Sequence, residues 1–131
     1  MSPCTDMLCT GNSYVEQVDD DPCLKAPMMK VIAQAYAGSN DLRNPLISPL
    51  YGDYTGLPPL LIQVGTRELL LDDSVRVAEK ARQAGVDVTL EVEEDMYHAF
   101  QYVYNAPEAI AATDRLGAFL KRHSLQAVPA K

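Results

Sequence analysis

The sequence predicts an α/β protein, the last strand–helix–strand–helix of a mostly parallel sheet preceded by an irregular and helical segment. Three observations predict it. The run "LLIQV", residues 60–64, is apolar on both faces, as in a strand covered on both sides. The run "VDVTLEV", residues 86–92, alternates strictly and reads as a half-exposed strand near a sheet edge. Helical periodicity fills the stretch between them and the stretch after them. A helix joining two such strands calls for a right-handed crossover and parallel pairing.

Each element follows from local chemistry. Residues 1–59 form a loop-and-helix region. Residues 1–24 are irregular, with turn signals at "CTGNSY" and "DDDPC", where Asp6, like Asp53 further on, reads as a turn former. A helix is predicted from Pro27 to Ala37, because proline suits a first helical turn and Gly38 can close the end. Met28, Ile32, Ala35 and Tyr36 share one of its faces, and Met28 and Met29 read as core rather than as an acyl pocket. "GSNDLRNPLISPLYGDYTGLPP" is a long loop, the kind that is functional or laid across a surface.

Residues 60–122 carry the strand–helix–strand–helix run. After Leu60–Val64, a helix from Asp72 to Ala84 places Val75, Ala78 and Ala81 on one side and ends at Gly85. Val86, Val88, Leu90 and Val92 share a face of the next strand. The last helix runs from Pro107 to Arg122 and should bury Ile110, Leu116, Phe119 and Leu120. Residues 123–131 read as a tail, with His123 facing solvent at a helix end. Two strands and three helices cannot supply a doubly covered strand with neighbours and layers, so the chain reads as the end of a larger sheet.

Composition narrows the function classes. Of 131 residues, 47% are hydrophobic and 22% charged, the balance of a globular domain. No run approaches the roughly 20 apolar residues of a membrane span. A net charge of −7 with scattered basic residues argues against a nucleic-acid surface. "MSPCTDMLCTG" has no basic start followed by an apolar stretch, and the three cysteines, Cys4, Cys9 and Cys23, fit reduced thiols. A cytoplasmic location is therefore expected. Cys4 and Cys9 read as small apolar fillers, and both histidines lie too far along the chain to complete a zinc set, so neither metal nor cofactor is expected.

The chemistry gathers at two positions. In open α/β sheets, reactive groups collect at the carboxyl ends of the strands. Glu68 lies four residues beyond Val64, and His98 six residues beyond Val92. Parallel neighbours bring such ends within about 5 Å per strand step. A carboxylate on one ring nitrogen of a histidine fixes the tautomer and leaves the other nitrogen free to take a proton from a nucleophile. Either residue alone has a plainer reading, His98 as a loop histidine bonded to backbone and Glu68 as a helix cap. Asp72 and Asp73 suit that capping better.

"SPLYGDYTGLPPLLIQVGTRELLLDDS" and "DMYHAFQ" closely resemble the carboxyl-terminal part of α/β hydrolases of the hormone-sensitive-lipase-like esterase family. "SPCTDMLCTGNSY" and "DDDPCL" are similar to the segment after that family's sixth strand, so the resemblance spans residues 2–122. It implies a partial α/β-hydrolase fold and carboxylic-ester hydrolysis through an acyl-enzyme, on a small-molecule ester. It implies His98 as general base and Glu68 as triad acid, four residues before the paired "DD". Arg67 stands beside that acid where relatives can show one, and Asp72 is the fallback acid.

The family's other signatures do not occur in these residues. Neither G-x-S-x-G nor His-Gly-Gly-Gly is present. The nearest stretch, Gly11-Asn12-Ser13-Tyr14-Val15, lacks the second glycine and follows no strand, so Ser13 is not taken as the nucleophile, which stays unassigned. The 131 residues alone are expected to be inactive, needing an amino-terminal half or another chain. Two alternatives remain: a catalytically dead remnant serving as a binding module that self-associates through its sheet edge, and an independent α/β domain of unrelated chemistry.

Overall fold

The computed structural model describes residues 2–17 and 19–124. The chain divides into two compact units, residues 1–99 and 100–131.

In the first unit, a one-turn helix α1 (Ser13–Glu16) and a longer helix α2 (Ala26–Ala37) precede strand β1 (Leu60–Gly65). Helix α3 (Leu71–Gln83) then crosses to strand β2 (Val88–Glu93). The strands pair in parallel with Leu60 beside Val88 and Gly65 beside Glu93, as the crossover pattern predicts. Both strands therefore end at the same rim, one with Gly65 and the other with Glu93. Helix α3 stops in a Schellman turn, Val86 N–H to Ala81 carbonyl at 3.0 Å and Gly85 N–H to Arg82 carbonyl at 3.0 Å. That turn needs the left-handed φ of 81° that Gly85 supplies.

Two apolar clusters hold the unit together. One joins Ile62 of β1 to Val77, Ala78 and Ala81 of α3, with Leu50, Tyr54 and Val86. The other joins Tyr14, Met29, Leu69 and Leu70, against which Cys4, Cys9 and Leu24 are partly buried. All three cysteines are free thiols. The long loop is laid over the surface and pinned there. Leu50 N–H donates to the Thr5 carbonyl at 3.0 Å, and Lys80 Nζ donates to the Leu50 carbonyl at 2.8 Å. Its middle winds into a 3-10 turn, Pro49–Tyr51.

Several faces differ from expectation. In α2 the buried stripe is Met29, Ala33 and Ala37, while Met28, Ile32 and Tyr36 are exposed. Both stripes have four-residue spacing and lie side by side, so periodicity cannot choose between them. The alanines permit the closer approach and win. In α3, Val77 is buried rather than Val75. No residue of β2 is buried, as suits a half-exposed strand, but the expected one-faced alternation is absent and Val92 is exposed. Asp6 is more than a turn former. It is fully buried and pairs with Arg76 at 3.0 Å.

The second unit holds a 3-10 turn, Phe100–Tyr102, and helix α4 (Pro107–Ser124), which pack together. The covered stripe of α4 runs through Ala109, Ala112 and Phe119, leaving Ile110 and Leu120 exposed, against expectation. The helix continues through His123, whose ring lies 4.4 Å from that of Phe119 instead of facing solvent freely. The remaining tail, 125–131, lies outside the described residues. No helix among the described residues is long and apolar enough to cross a membrane.

Candidate active site

The site is built where the chain leaves the two strands. Beyond β1, the residues from Gly65 to Leu71 fold tightly, with Glu68 N–H on the Gly65 carbonyl at 3.3 Å and Leu71 N–H on the Glu68 carbonyl at 3.3 Å. The Glu68 side chain turns back along this fold, and its Oε1 accepts the Gly65 N–H at 2.7 Å. The carboxylate is fully buried. A buried carboxylate needs donors or an opposite charge, because its desolvation is otherwise unfavourable by several kcal/mol.

The second donor comes from the loop beyond β2. This loop is fixed at both ends of the histidine by non-glycine residues in the left-handed region, Asp95 at φ 58° and Ala99 at φ 60°. Such backbone persists only where the surroundings hold it, at a cost of about 1–3 kcal/mol each. Thr66 Oγ1 accepts the Asp95 N–H at 2.9 Å, and the Met96 carbonyl accepts the Arg67 N–H at 3.0 Å. These ties stitch the two loops together. Close approach is possible because residue 65 is glycine. A Cβ there would stand 2.0 Å from the Met96 carbonyl oxygen.

His98 then faces Glu68, with Nδ1 to Oε2 at 3.1 Å. The hydrogen bond to Glu68 raises the pKa of His98 above the ordinary histidine value, against the opposing effect of its own burial. Ser2 Oγ lies 3.1 Å from the same Nδ1. No hydrogen-bond partner meets Nε2 among the described residues, and the side chain keeps 27% of its surface accessible while Glu68 keeps 1%. The ring is anchored on one nitrogen and open on the other. Such a histidine can accept a proton from a hydroxyl placed against Nε2 and return it.

Asp72 and Ser13 are placed elsewhere. Asp72 Oδ2 accepts the N–H groups of Asn12 and, at 3.3 Å, of Ser13, so it caps α1. The buried Ser13 hydroxyl donates to the Leu69 carbonyl at 2.6 Å and accepts the Asp72 N–H at 3.2 Å. Both residues are engaged in joining α1 to the start of α3, and the structure does not bring either to His98. Arg67 reaches the Asp20 carbonyl at 3.4 Å.

Two neighbours of the pair carry no signal in the sequence. One is Ser2, 96 positions from His98. The other is the buried Asp21, which accepts the Leu69 N–H at 3.1 Å and the Cys23 and Leu24 N–H groups at 2.8 and 3.0 Å. Asp21 thereby fixes the backbone directly after Glu68. The one hint is that both lie inside the "SPCTD" and "DDDPCL" stretches that carry the resemblance.

Comparison with known proteins gives the family. The profile of a family described as alpha/beta hydrolase fold matches residues 1–102. An acetyl-hydrolase of Streptomyces hygroscopicus is 38% identical over 122 residues, covering 92% of this chain and 41% of the relative. An esterase of Acinetobacter venetianus is 38% identical over 123 residues, covering 91% of this chain and 40% of the relative. A solved esterase of the bacterial hormone-sensitive lipase family superposes with a TM-score of 0.91 at 43% identity, covering 94% of this chain and 42% of that one. The chain thus spans about two fifths of the length of the curated relatives it matches.

Proposed function

This chain belongs to the α/β-hydrolase fold family, and from that premise we propose that Glu68 and His98 are the acid and base of carboxylic-ester hydrolysis through a serine acyl-enzyme. The single observation that carries the proposal is the 3.1 Å hydrogen bond from His98 Nδ1 to the buried Glu68. It holds the neutral imidazole with its proton on Nδ1, leaving the lone pair of Nε2 to act as base. The serine hydroxyl gives its proton to Nε2 as its oxygen bonds to the ester carbonyl carbon. The imidazolium, stabilised by Glu68, returns that proton to the departing alcohol, leaving the acyl group on the serine. Water, deprotonated by Nε2 in the same way, bonds to the acyl carbon, and the imidazolium returns the proton to the serine oxygen as the carboxylic acid departs.

The nucleophile and the oxyanion donors come from polypeptide other than these 131 residues, which contain neither signature. The names of the relatives, acetyl-hydrolase and esterase, point to an ester as the substrate. Three reduced thiols accord with a cytoplasmic setting.

A chimera tests the assignment. Residues 2–124 replace the matching segment of the Acinetobacter venetianus esterase, and hydrolysis of p-nitrophenyl acetate is followed. The chimera should turn over, while His98→Ala and Glu68→Gln should lower kcat by roughly a thousandfold or more. Asp72→Asn should stay within a few-fold of the parent chimera, and the 131-residue chain alone should show no turnover. Activity surviving His98→Ala, or hydrolysis by the chain alone, contradicts the proposal.

A further inference from the structure

The site holds a second oxygen at the anchored nitrogen of His98, and the bookkeeping of protons decides what it does. Nδ1 stands 3.1 Å from Glu68 Oε2 and 3.1 Å from Ser2 Oγ. An ionised carboxylate can only accept, so the nitrogen facing it must carry a proton. That proton already occupies the one donor position of Nδ1. The Ser2 hydroxyl therefore cannot donate to this nitrogen and must accept from it, which leaves its own proton for another partner. Ser2 is buried, at 7% of its full exposure, so its hydroxyl is held in place and shielded from competing water.

We infer that Ser2 is a positioning residue of the site, its hydroxyl sharing the Nδ1 proton of His98 with Glu68 in a three-centre hydrogen bond that fixes the tautomer and the rotation of the ring. A single acceptor leaves the imidazole free to swing about the bond to it. Two acceptors beside the same nitrogen define a direction between them and hold Nε2 on one heading. Ser2 touches no reacting atom and acts only through His98. The inference rests on the reading of Glu68 and His98 as acid and base.

Nuclear magnetic resonance of the ¹⁵N-labelled chain provides the test. With two histidines in the sequence, the ring signals of His98 and His123 separate by way of a His123→Asn variant. Above its titration, the unsubstituted chain should show His98 with Nδ1 protonated and Nε2 bare. Glu68 and the more distant Asp21 are the charged groups acting on this ring. Because the charged ring donates more strongly than the neutral one, losing the Ser2 acceptor should lower the His98 midpoint. Ser2→Ala is expected to lower it by about half a unit, and Ser2→Thr, which keeps the hydroxyl, to restore it.

An unshifted midpoint in Ser2→Ala overturns the inference. So does a neutral ring that carries its proton on Nε2 in the unsubstituted chain, whatever the variants do. Glu68→Gln separates this from the function itself. If Ser2→Ala has no effect while Glu68→Gln lowers the midpoint, Ser2 is dismissed and the acid–base pair stands. If Glu68→Gln also has no effect, the pairing fails, and both readings fall together.

Discussion

The hydrogen bond between Glu68 and His98 makes part of the chain's stability depend on pH, and its sign follows from the histidine. The folded pKa of His98 lies above the unfolded value of 6.5, chiefly through the bond to Glu68. Folding therefore raises proton affinity at this site. The stabilisation is fully present below the unfolded pKa and is lost as pH rises through the folded one. As pH rises from about 6 the urea midpoint should fall, and in Glu68→Gln this part of the slope should vanish. Comparing the two chains cancels the other titrating groups, including the buried Asp73, whose pKa is raised by burial. Equal slopes in both would mean that the bond contributes no differential proton affinity in solution. The same residues show how far a sequence can speak for a site. The meeting of Glu68 and His98 is legible because each follows a strand end at short range. Ser2 and Asp21 are not, because their partners lie 96 and 48 positions away and no local pattern encodes such a meeting.

At the scale of elements, the rim depends on how closely two loops can pass. Gly65 ends β1 against the backbone of Met96, two residues before His98, and a Cβ at position 65 would stand 2.0 Å from the Met96 oxygen and 2.3 Å from its carbonyl carbon. Neither atom belongs to a side chain that can swing away. Gly65→Ala must push the loop outward, breaking the 3.0 Å bond from Arg67 N–H to the Met96 carbonyl and carrying His98 from Glu68. It should cost about 3 kcal/mol in urea unfolding and return the His98 midpoint toward its ordinary value. A chain that tolerates the substitution with an unshifted midpoint would show that the loops can part without consequence. Elements of this kind were readable in outline. The order β1, α3, β2, α4 follows from periodicity, and the boundaries differ by a residue or two because capping at helix ends is local. Their faces were less readable. Met28, Ile32 and Tyr36 repeat at the same spacing as Met29, Ala33 and Ala37 in α2, and only the neighbours decide which stripe is covered. The two loop residues at positive φ, Asp95 and Ala99, also escape notice, since neither is a glycine that would advertise the conformation.

For the whole molecule, the governing quantity is charge. Eighteen acidic residues against eleven basic ones give a net charge of −7. Four of the carboxylates, those of Asp6, Asp21, Glu68 and Asp73, are fully buried in the first unit. Asp6 meets Arg76 and Glu68 meets His98, while Asp21 and Asp73 are held by backbone N–H groups that carry no full charge. Over the whole sequence the acids outnumber the cations by eighteen to eleven, so folding gathers an excess of like charge. Two effects of salt then compete. Screening weakens the Arg76–Asp6 pair, but that pair is partly sheltered and its loss is small. Screening also relieves repulsion among the excess acids, which acts over distances comparable to the Debye length and is therefore the more sensitive to salt. Raising sodium chloride from about 20 mM to about 0.5 M shortens that length from about 20 Å to about 4 Å. The melting temperature at neutral pH should rise by several degrees, and sodium chloride is the salt to use because sulfate would stabilise through exclusion from the surface. An Arg76→Met chain should show the same rise from a lower starting point, since the repulsion is spread over many acids and not seated in that pair. A melting temperature that falls with salt would reverse the order of the two effects and make the buried ion pairs, rather than the crowd of acids, the dominant electrostatic contribution to the fold.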